Sequence, residues 1–388
     1  MGFSEIKESE MEKRMKISWI TPSNFVDVDL PIIEELQKEA DIYWQVVSFG
    51  EVSEDMHHYI EPKMNPETLH RLEYVEIPYR FYDFRTMNAF CKVLKKAKQY
   101  NPDLYYTSLQ AAPFGPLIYR MYLPLKKTVA ACHNVSTPKG ANQEFYARIF
   151  TYLHLQMFHN IQVFSESQGE ILFKKFPKKN VLLAPLAIKD YGEPSIRVKP
   201  FDENNVIFLF FGMIMGYKRL DLLIEAAQAL YEKGYKNFKV RIAGKCKNWP
   251  VYAQIIKYPE LFDMIIEHIP NDAVADLFAS CDYFVMPYQD IAQSGAITVA
   301  YRYNLPIIMS NLPQFKPFGI DGQTGLVFES QNAKDLEEKM KKAIDGGKEM
   351  NSKLKEGLAA FVEERYSTRS IASKYIAFFE QLLKSIGK

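Results

Sequence analysis

Residues 206–226 read VIFLFFGMIMGYKRLDLLIEA. Val206 to Phe211 form an unbroken apolar run, rich in aromatic and β-branched residues, which is how a strand buried on both faces of a parallel sheet reads. Gly212 and Gly216 frame a loop, and from Leu220 the apolar residues recur at helical spacing. Strand, glycine loop and helix make one βα unit of a doubly wound sheet, whose ligands bind beyond the carboxyl ends of the strands. Lys218 and Arg219 enter that helix at its N-terminal end, where the dipole disfavours cations, so their presence points to a bound anion such as a phosphate. The plainer alternative is a pair of solvated surface cations.

The same alternation fills the chain. In the first half, strands are expected at 16–20, 42–48, 103–107, 128–132 and 161–165, with helices such as LPIIEELQKEA (30–40) and TMNAFCKVLKKAKQY (86–100) between them. After a polar stretch with Pro and Gly, KDYGEPSIRVKPFDENN (189–205), which reads as a linker, strands recur at VIFLFF, FKVRIAG, MIIEHI, YFVMP, LPIIMS and GLVF. A helical tail runs from about 333 to the end. With 388 residues, two domains are the natural division. The expected fold class is α/β: two Rossmann-like domains whose parallel sheets face an inter-domain cleft, divided as 1–192, 193–366 and a final helix, 367–388, crossing back to the first domain.

Composition narrows the function. Forty-eight basic residues oppose 47 acidic ones for a net charge of +1, which gives no global case for nucleic acid. The four cysteines, Cys91, Cys132, Cys246 and Cys281, show no CxxC and no zinc-finger spacing, and read as reduced thiols of a cytoplasmic protein. The longest apolar run, 206–215, is about half a membrane span. The N-terminal stretch is charged and has no signal-peptide core, so export is not expected. YRFYDFRTMNAFCKVLKKAKQY (79–100), basic and aromatic, reads first as a solvated helix face, with peripheral contact to a membrane surface as the alternative.

Two further strand ends carry candidates. In YQDIAQSGAITVA (288–300) a helix is expected to begin near Ser294, a favoured N-cap, with Gly295 and Ala296 leaving the first free N–H groups open to an anion. Gly244 ends the strand FKVRIAG, a position that by itself suggests only a turn. In ACHNVSTPKGANQ (131–143), His133 at a strand end is either structural or an acid/base or hydroxyl-binding group. DVD (27–29) admits an acidic metal pair, but Asp29 reads better as the N-cap of the helix that follows.

The order of these motifs resembles one family, the GT-B glycosyltransferases, and within it the GT4-like retaining enzymes of glycosyltransferase group 1. FFGMIMGYKRLDLLIEAAQAL is similar to its "FGR...KG.D.LI.A" segment, RIAGK to its strand ending in Gly, residues 271–311 to its "E...L...AD....PS...E" block with "A...G.PVI", and DGQTGLVFE to its "DG.TG.L" loop. The resemblance covers about 128 to 345. It implies a GT-B fold and transfer, with retention and without metal or other cofactor, of a sugar from a UDP- or GDP-sugar to a hydroxyl of a polysaccharide or lipid-linked glycan. Implied too are a cytoplasmic location, with attachment at the inner face of the membrane as a variant, and no nucleic-acid partner.

By the resemblance, Lys218 neutralises the donor diphosphate, the N–H groups around Ser294, Gly295 and Ala296 take the distal phosphate, His133 lies by the donor sugar, and Asn24 sits under the phosphates. Gly212 and Gly244 then border the donor. Met213 stands where the family has Arg, and Ile291 and Val299 where it has its two acids. Arg219 is the substitute for the Arg; Asp290 or Gln293 substitutes for the first acid. These departures keep open a catalytically silent GT-B sugar-nucleotide binder or scaffold and, more remotely, a GT-B epimerase.

Overall fold

Burial on both faces is what VIFLFF demands, and in a computed structural model of the chain it lies in the middle of a six-stranded sheet with Val206 to Phe210 buried. The structure describes residues 14–79, 83–108, 115–135, 144–290 and 295–387. The second half supplies β8 (Val206–Phe211), β9 (Phe238–Ala243), β10 (Phe262–Ile265), β11 (Tyr283–Met286), β12 (Ile307–Ser310) and β13 (Gly325–Phe328). The first half supplies β1 (Met15–Pro22), β2 (Ala40–Ser48), β3 (Leu72–Glu76), β4 (Leu104–Ser108), β5 (Thr128–Ala131), β6 (Asn160–Val163) and β7 (Asn180–Leu183). Their orders are β3-β2-β1-β4-β5-β6-β7 and β10-β9-β8-β11-β12-β13, with every pairing parallel. In both sheets the chain winds outward one way and then restarts on the other side, so β1 with β4 and β8 with β11 flank the two points where ligands gather. This is the GT-B architecture.

Helices on both faces exclude water from the strands. One face of the first sheet is covered by Phe84–Gln99, Gly115–Tyr122, Glu144–Met157 and Glu166–Lys175, whose Phe90, Ile118, Leu155 and Leu172 meet Ile20, Ala130 and Val163 in one cluster. The other face is covered by Val26–Leu36 and by the last helix, Thr368–Ile386, which inserts Ile371, Tyr375 and Phe379 among Ile17, Trp19 and Leu104. Tyr375 accepts a hydrogen bond from Gln162 Nε2 at 2.5 Å, tying that helix to β6. The expected helical tail is three helices, Ala333–Asp345, Gly347–Tyr366 and Thr368–Ile386.

β3 and β7 are absent from the sequence reading for one physical reason. They are edge strands, LEYVE and NVLL, paired on one side and mostly half-buried or exposed, so neither needs a continuous apolar run. Asp29 corrects a second expectation. The helix starts at Val26 rather than near Leu30, so Asp29 falls inside it, not at its N-cap, and its carboxylate is buried. Asp29 Oδ2 accepts from Trp19 Nε1 at 3.0 Å and Thr21 Oγ1 at 2.7 Å, while Thr21 Oγ1 accepts from Trp44 Nε1 at 2.9 Å. Burial outweighs these bonds and raises the Asp29 pKa to about 7. The carboxyl is a polar knot in the first core, not half of a metal pair. Among the described residues no group of three or more His, Cys, Asp or Glu is placed to hold a metal ion.

Candidate functional site

The second-domain wall of the cleft is built from backbone. Gly212 follows β8 at φ +96° and Gly244 follows β9 at φ +150°, a region open to glycine. The two loops touch: a Cβ on Gly244 would stand 2.1 Å from the carbonyl oxygen of Gly212. Gly212 N–H donates to Ala243 O at 2.9 Å and Gly244 N–H to Ile265 O at 2.9 Å, so the pair is locked into the sheet. Gly244 is therefore more than a turn, because only a residue without a side chain lets the β8 and β9 loops close on each other.

Lys218 rises from the short 3-10 turn Gly216–Lys218, and its ammonium comes within 3.1 Å of the position a Cβ on Gly212 would take. It lies 5.4 Å from the ring centroid of Tyr288, which follows β11, so this cation is held over the switch point between β8 and β11. Lys218 is only 8% exposed, and burial lowers its pKa to about 8. No carboxylate among the described residues is within ion-pair distance of it. A buried cation without a counter-ion is costly, and an arriving anion removes that cost.

Arg219 is placed differently. It occupies the left-handed conformation at φ +51° and precedes the helix Leu220–Glu232. Its guanidinium pairs with Asp221, Nε lying 3.1 and 3.0 Å from the two carboxylate oxygens, and its Nη1 donates to Gln289 at 3.3 Å. Asp290 is exposed next to Gln289 and raises the Tyr217 phenol pKa, behind the larger effect of burial. The helix after β11 runs Gly295–Arg302, with Gly295 and Ala296 half-buried at its first turn. Gln293, Ser294 and Ile291 lie outside the described residues. Val299, where the resemblance looks for an acid, is 1% exposed in the second core, and Met213 is exposed.

The first-domain wall is aromatic. His133, just beyond β5, is stacked between Phe25 at 4.0 Å and Phe164 at 4.3 Å, with interplanar angles of 6° and 15°. Burial between the rings, and then the Lys189 ammonium, push its pKa down to about 4, so the imidazole is neutral at physiological pH. It offers one donor and one acceptor and no charge. Asn24 lies in the 3-10 turn Ser23–Phe25 that ends β1 and is exposed. It lines a cavity of about 750 Å³ with Asp27, Tyr59, Lys189, Asn271 and Asp272. Asn24, Asp27 and Tyr59 come from the first domain and Asn271 and Asp272 from the start of a second-domain helix, so the cavity lies in the cleft.

Lys189 was hidden in a stretch that reads as a linker. Its ammonium pairs with Asp27, and its backbone N–H donates to Thr298 Oγ1 at 3.3 Å. Nothing local in KDYGEP signals this, because both partners are distant in sequence. Tyr288, too, takes its place beneath Lys218 only once β8 and β11 are paired.

Comparison with known proteins agrees with this fold. Residues 193–358 match the family model for glycosyl transferases group 1. No curated protein matches the chain in sequence. Among solved structures, sucrose-phosphate synthase from Thermosynechococcus elongatus superposes with a TM-score of 0.71 at 14% identity, covering 96% of this chain and 100% of that one. A glycosyltransferase from Rickettsia africae gives 0.70 at 16%, covering 96% and 99%. HepE from Anabaena, solved in complex with UDP and glucose, gives 0.69 at 12%, covering 95% and 100%. These likenesses establish the fold over nearly the whole chain. The chain thus has a GT-B fold, and within it residues 193–358 are similar to the glycosyl transferases group 1.

Proposed function

We propose that this protein transfers a sugar from a nucleoside diphosphate sugar to a hydroxyl acceptor, with retention and without a metal. The observation that carries the reading is Lys218: a buried ammonium at the switch point of the second sheet, flanked by Gly212 and Tyr288, with no carboxylate of the described residues against it. HepE, a structural neighbour, is solved with UDP-glucose, which supports a nucleotide sugar as the donor class. In the reaction the bond from the sugar's C1 to the phosphate oxygen breaks, and the acceptor oxygen bonds to C1 from the same face. The acceptor's proton passes to the departing phosphate oxygen, and a nucleoside diphosphate leaves. Lys218 and the first-turn N–H groups at Gly295 and Ala296 stabilise the charge that grows on the leaving group, a contribution of roughly 3 kcal/mol for one well-placed donor. Neutral His133 orients a sugar hydroxyl from the opposite wall. Arg219, held by Asp221, fixes Gln289 in the loop that follows β11.

Titration calorimetry against UDP, GDP and their sugars, followed by assays of nucleotide release, tests the reading. Binding together with nucleotide release on addition of acceptor supports it. Absence of binding at millimolar nucleotide ends it. Binding without turnover selects the second reading, a silent sugar-nucleotide binder, which is favoured by buried Val299 and by Arg219 being engaged with Asp221.

The acceptor side belongs, in this proposal, at an anionic lipid surface. The helix layer over one face of the first sheet exposes Phe84 (80%), Leu117 (61%), Met121 (65%) and Phe145 (70%), and the helix Phe84–Gln99 carries Arg85, Lys92, Lys95, Lys96 and Lys98 with no acid. Apolar side chains among cations fit a headgroup interface. No helix among the described residues is long and apolar enough to cross a membrane. Co-sedimentation with phosphatidylglycerol vesicles but not phosphatidylcholine vesicles is expected, and indifference to both removes the membrane from the proposal.

A further inference from the structure

The Lys189 ammonium sits on the wrong end of a helix. Its Cε and Nζ lie 3.1 and 3.5 Å from where a Cβ on Gly295 would stand, at the first residue of Gly295–Arg302. That end carries the positive pole of the helix. A cation there is repelled by the helix it rests on. Its one carboxylate partner among the described residues, Asp27, comes from the other domain, from the first turn of the helix that follows β1. The main chain at Lys189 is meanwhile fixed to the second domain, since its N–H donates to Thr298 Oγ1, which donates in turn to Gly295 O at 2.8 Å. The side chain thus reaches from a fixed base across the cleft.

Three observations bring this lysine to the proposed reaction centre. It overlies Gly295. It is near enough to His133 to depress the imidazole. Together with Asp27 and Asn24 it lines the cavity of about 750 Å³ between the domains. Its side chain remains 23% exposed and that of Asp27 36%, so neither end of the pair is sealed from a ligand in the cavity.

We propose that Lys189 is a further cation of the donor site, stored on Asp27 while the site is empty and transferred to the distal phosphate of the donor when it binds. The inference rests on the donor reading given above. An anion at the Gly295 helix end meets the positive pole of the helix and the ammonium together, which Asp27, on the far wall, does only in part. Donor binding exchanges one carboxylate for phosphate oxygens, releases Asp27 from the second-domain side of the cleft, and leaves Lys218 and Lys189 on the same leaving group. Asp27 is then a competitor of the donor, and Lys189 its ligand.

That opposition gives the test. The affinities of wild type, Lys189→Gln, Lys189→Arg and Asp27→Asn for UDP, GDP and ADP are measured by calorimetry, with thermal melting of each variant as the check on folding. Lys189→Gln is expected to weaken binding of the nucleotide that wild type prefers by about tenfold, and Lys189→Arg to recover most of it. Asp27→Asn is expected to strengthen binding by about threefold, because the ammonium no longer has to leave a carboxylate. A pair that only braces the domains predicts weaker binding in both variants, or no change in either, and each of those results overturns the proposal. If wild type binds none of the three nucleotides, the transfer reading itself fails. If wild type binds but Lys189→Gln and Asp27→Asn shift affinity in the same direction, only the role of Lys189 fails.

Discussion

The two walls of the cleft are made of different materials. On the second-domain side, two glycines touch backbone to backbone, and a single buried cation lies against a tyrosine ring, all within one sheet. On the first-domain side an imidazole is held between two phenylalanines, and an aspartate holds a lysine that reaches across from the second domain. Backbone locked into strand ends has no soft degree of freedom, whereas a side-chain ion pair exchanges partners on the timescale of rotamer changes. Under the proposed function, pre-organised binding of the diphosphate falls to the second wall and adjustment to the ion pair that spans the cleft. It also says where substitutions do most damage.

The largest effect is expected at Gly244. A Cβ there lies 2.1 Å from a backbone oxygen of Gly212, which no side-chain rotation relieves, and the residue already sits at φ +150°. Gly244→Ala is expected to lower the unfolding free energy in urea by roughly 3 kcal/mol or more, from clash and strain together. Gly234, at φ +99° with nothing within 4 Å, is the control, since Gly234→Ala adds strain alone and costs about 1 kcal/mol. Equal losses in the two variants would break the picture of a rigid second wall.

Lys218 comes next, with effects of opposite sign on binding and stability. Lys218→Met is expected to weaken nucleoside diphosphate binding by roughly 100-fold and to leave the protein as stable as before or more so, because a buried cation without a carboxylate is replaced by an apolar chain of similar length. The pH dependence follows from the same burial. The folded pKa is about 8, below the ordinary 10.5, so between these values the unfolded chain holds more protons than the folded one. Wild type should therefore gain stability as pH rises from 8 to 10.5, and Lys218→Met should lack that gain. Identical slopes in the two proteins would mean that the ammonium is well solvated.

The positions of the residues on this wall, though not their roles, were the most legible in the sequence, for a physical reason. Gly212, Lys218 and Gly244 act within a few residues of strands whose apolar runs are unmistakable, so a local pattern suffices to put them at the carboxyl ends of β8 and β9. His133 was placed at a strand end in the same way and Asn24 through the family resemblance, but the clamp around His133 was not foreseen, because Phe25 and Phe164 meet it only after β1, β5 and β6 fold against their helices. Lys189 was read as linker and Asp29 as a cap. The pairing of the first with Asp27 spans 162 residues, and the burial of the second depends on a helix beginning one turn earlier than its apolar run. Edge strand β3 escaped because a half-paired strand tolerates charge, and β7 because its apolar run is only Val181 to Leu183.

The smallest expected effect on stability, and the finest test of the contrast, lies in the aromatic clamp. His133→Phe preserves a flat ring between Phe25 and Phe164, so stability at pH 7.5 should stay within about 1 kcal/mol of wild type, while the ring nitrogens proposed to meet the sugar are lost and turnover should fall about tenfold. The acid side separates packing from charge. With a folded pKa of about 4 against an ordinary 6.5, the unfolded chain binds the proton first, so the wild-type histidine erodes stability as pH falls from 6.5 towards 4. His133→Phe removes that erosion, and the variant should overtake wild type in urea midpoint below about pH 5.5. Parallel curves down to pH 4 would place the imidazole in water and return the first wall to an open, solvated surface. Curves that cross while turnover is unchanged would leave the clamp intact as packing and take His133 out of the reaction.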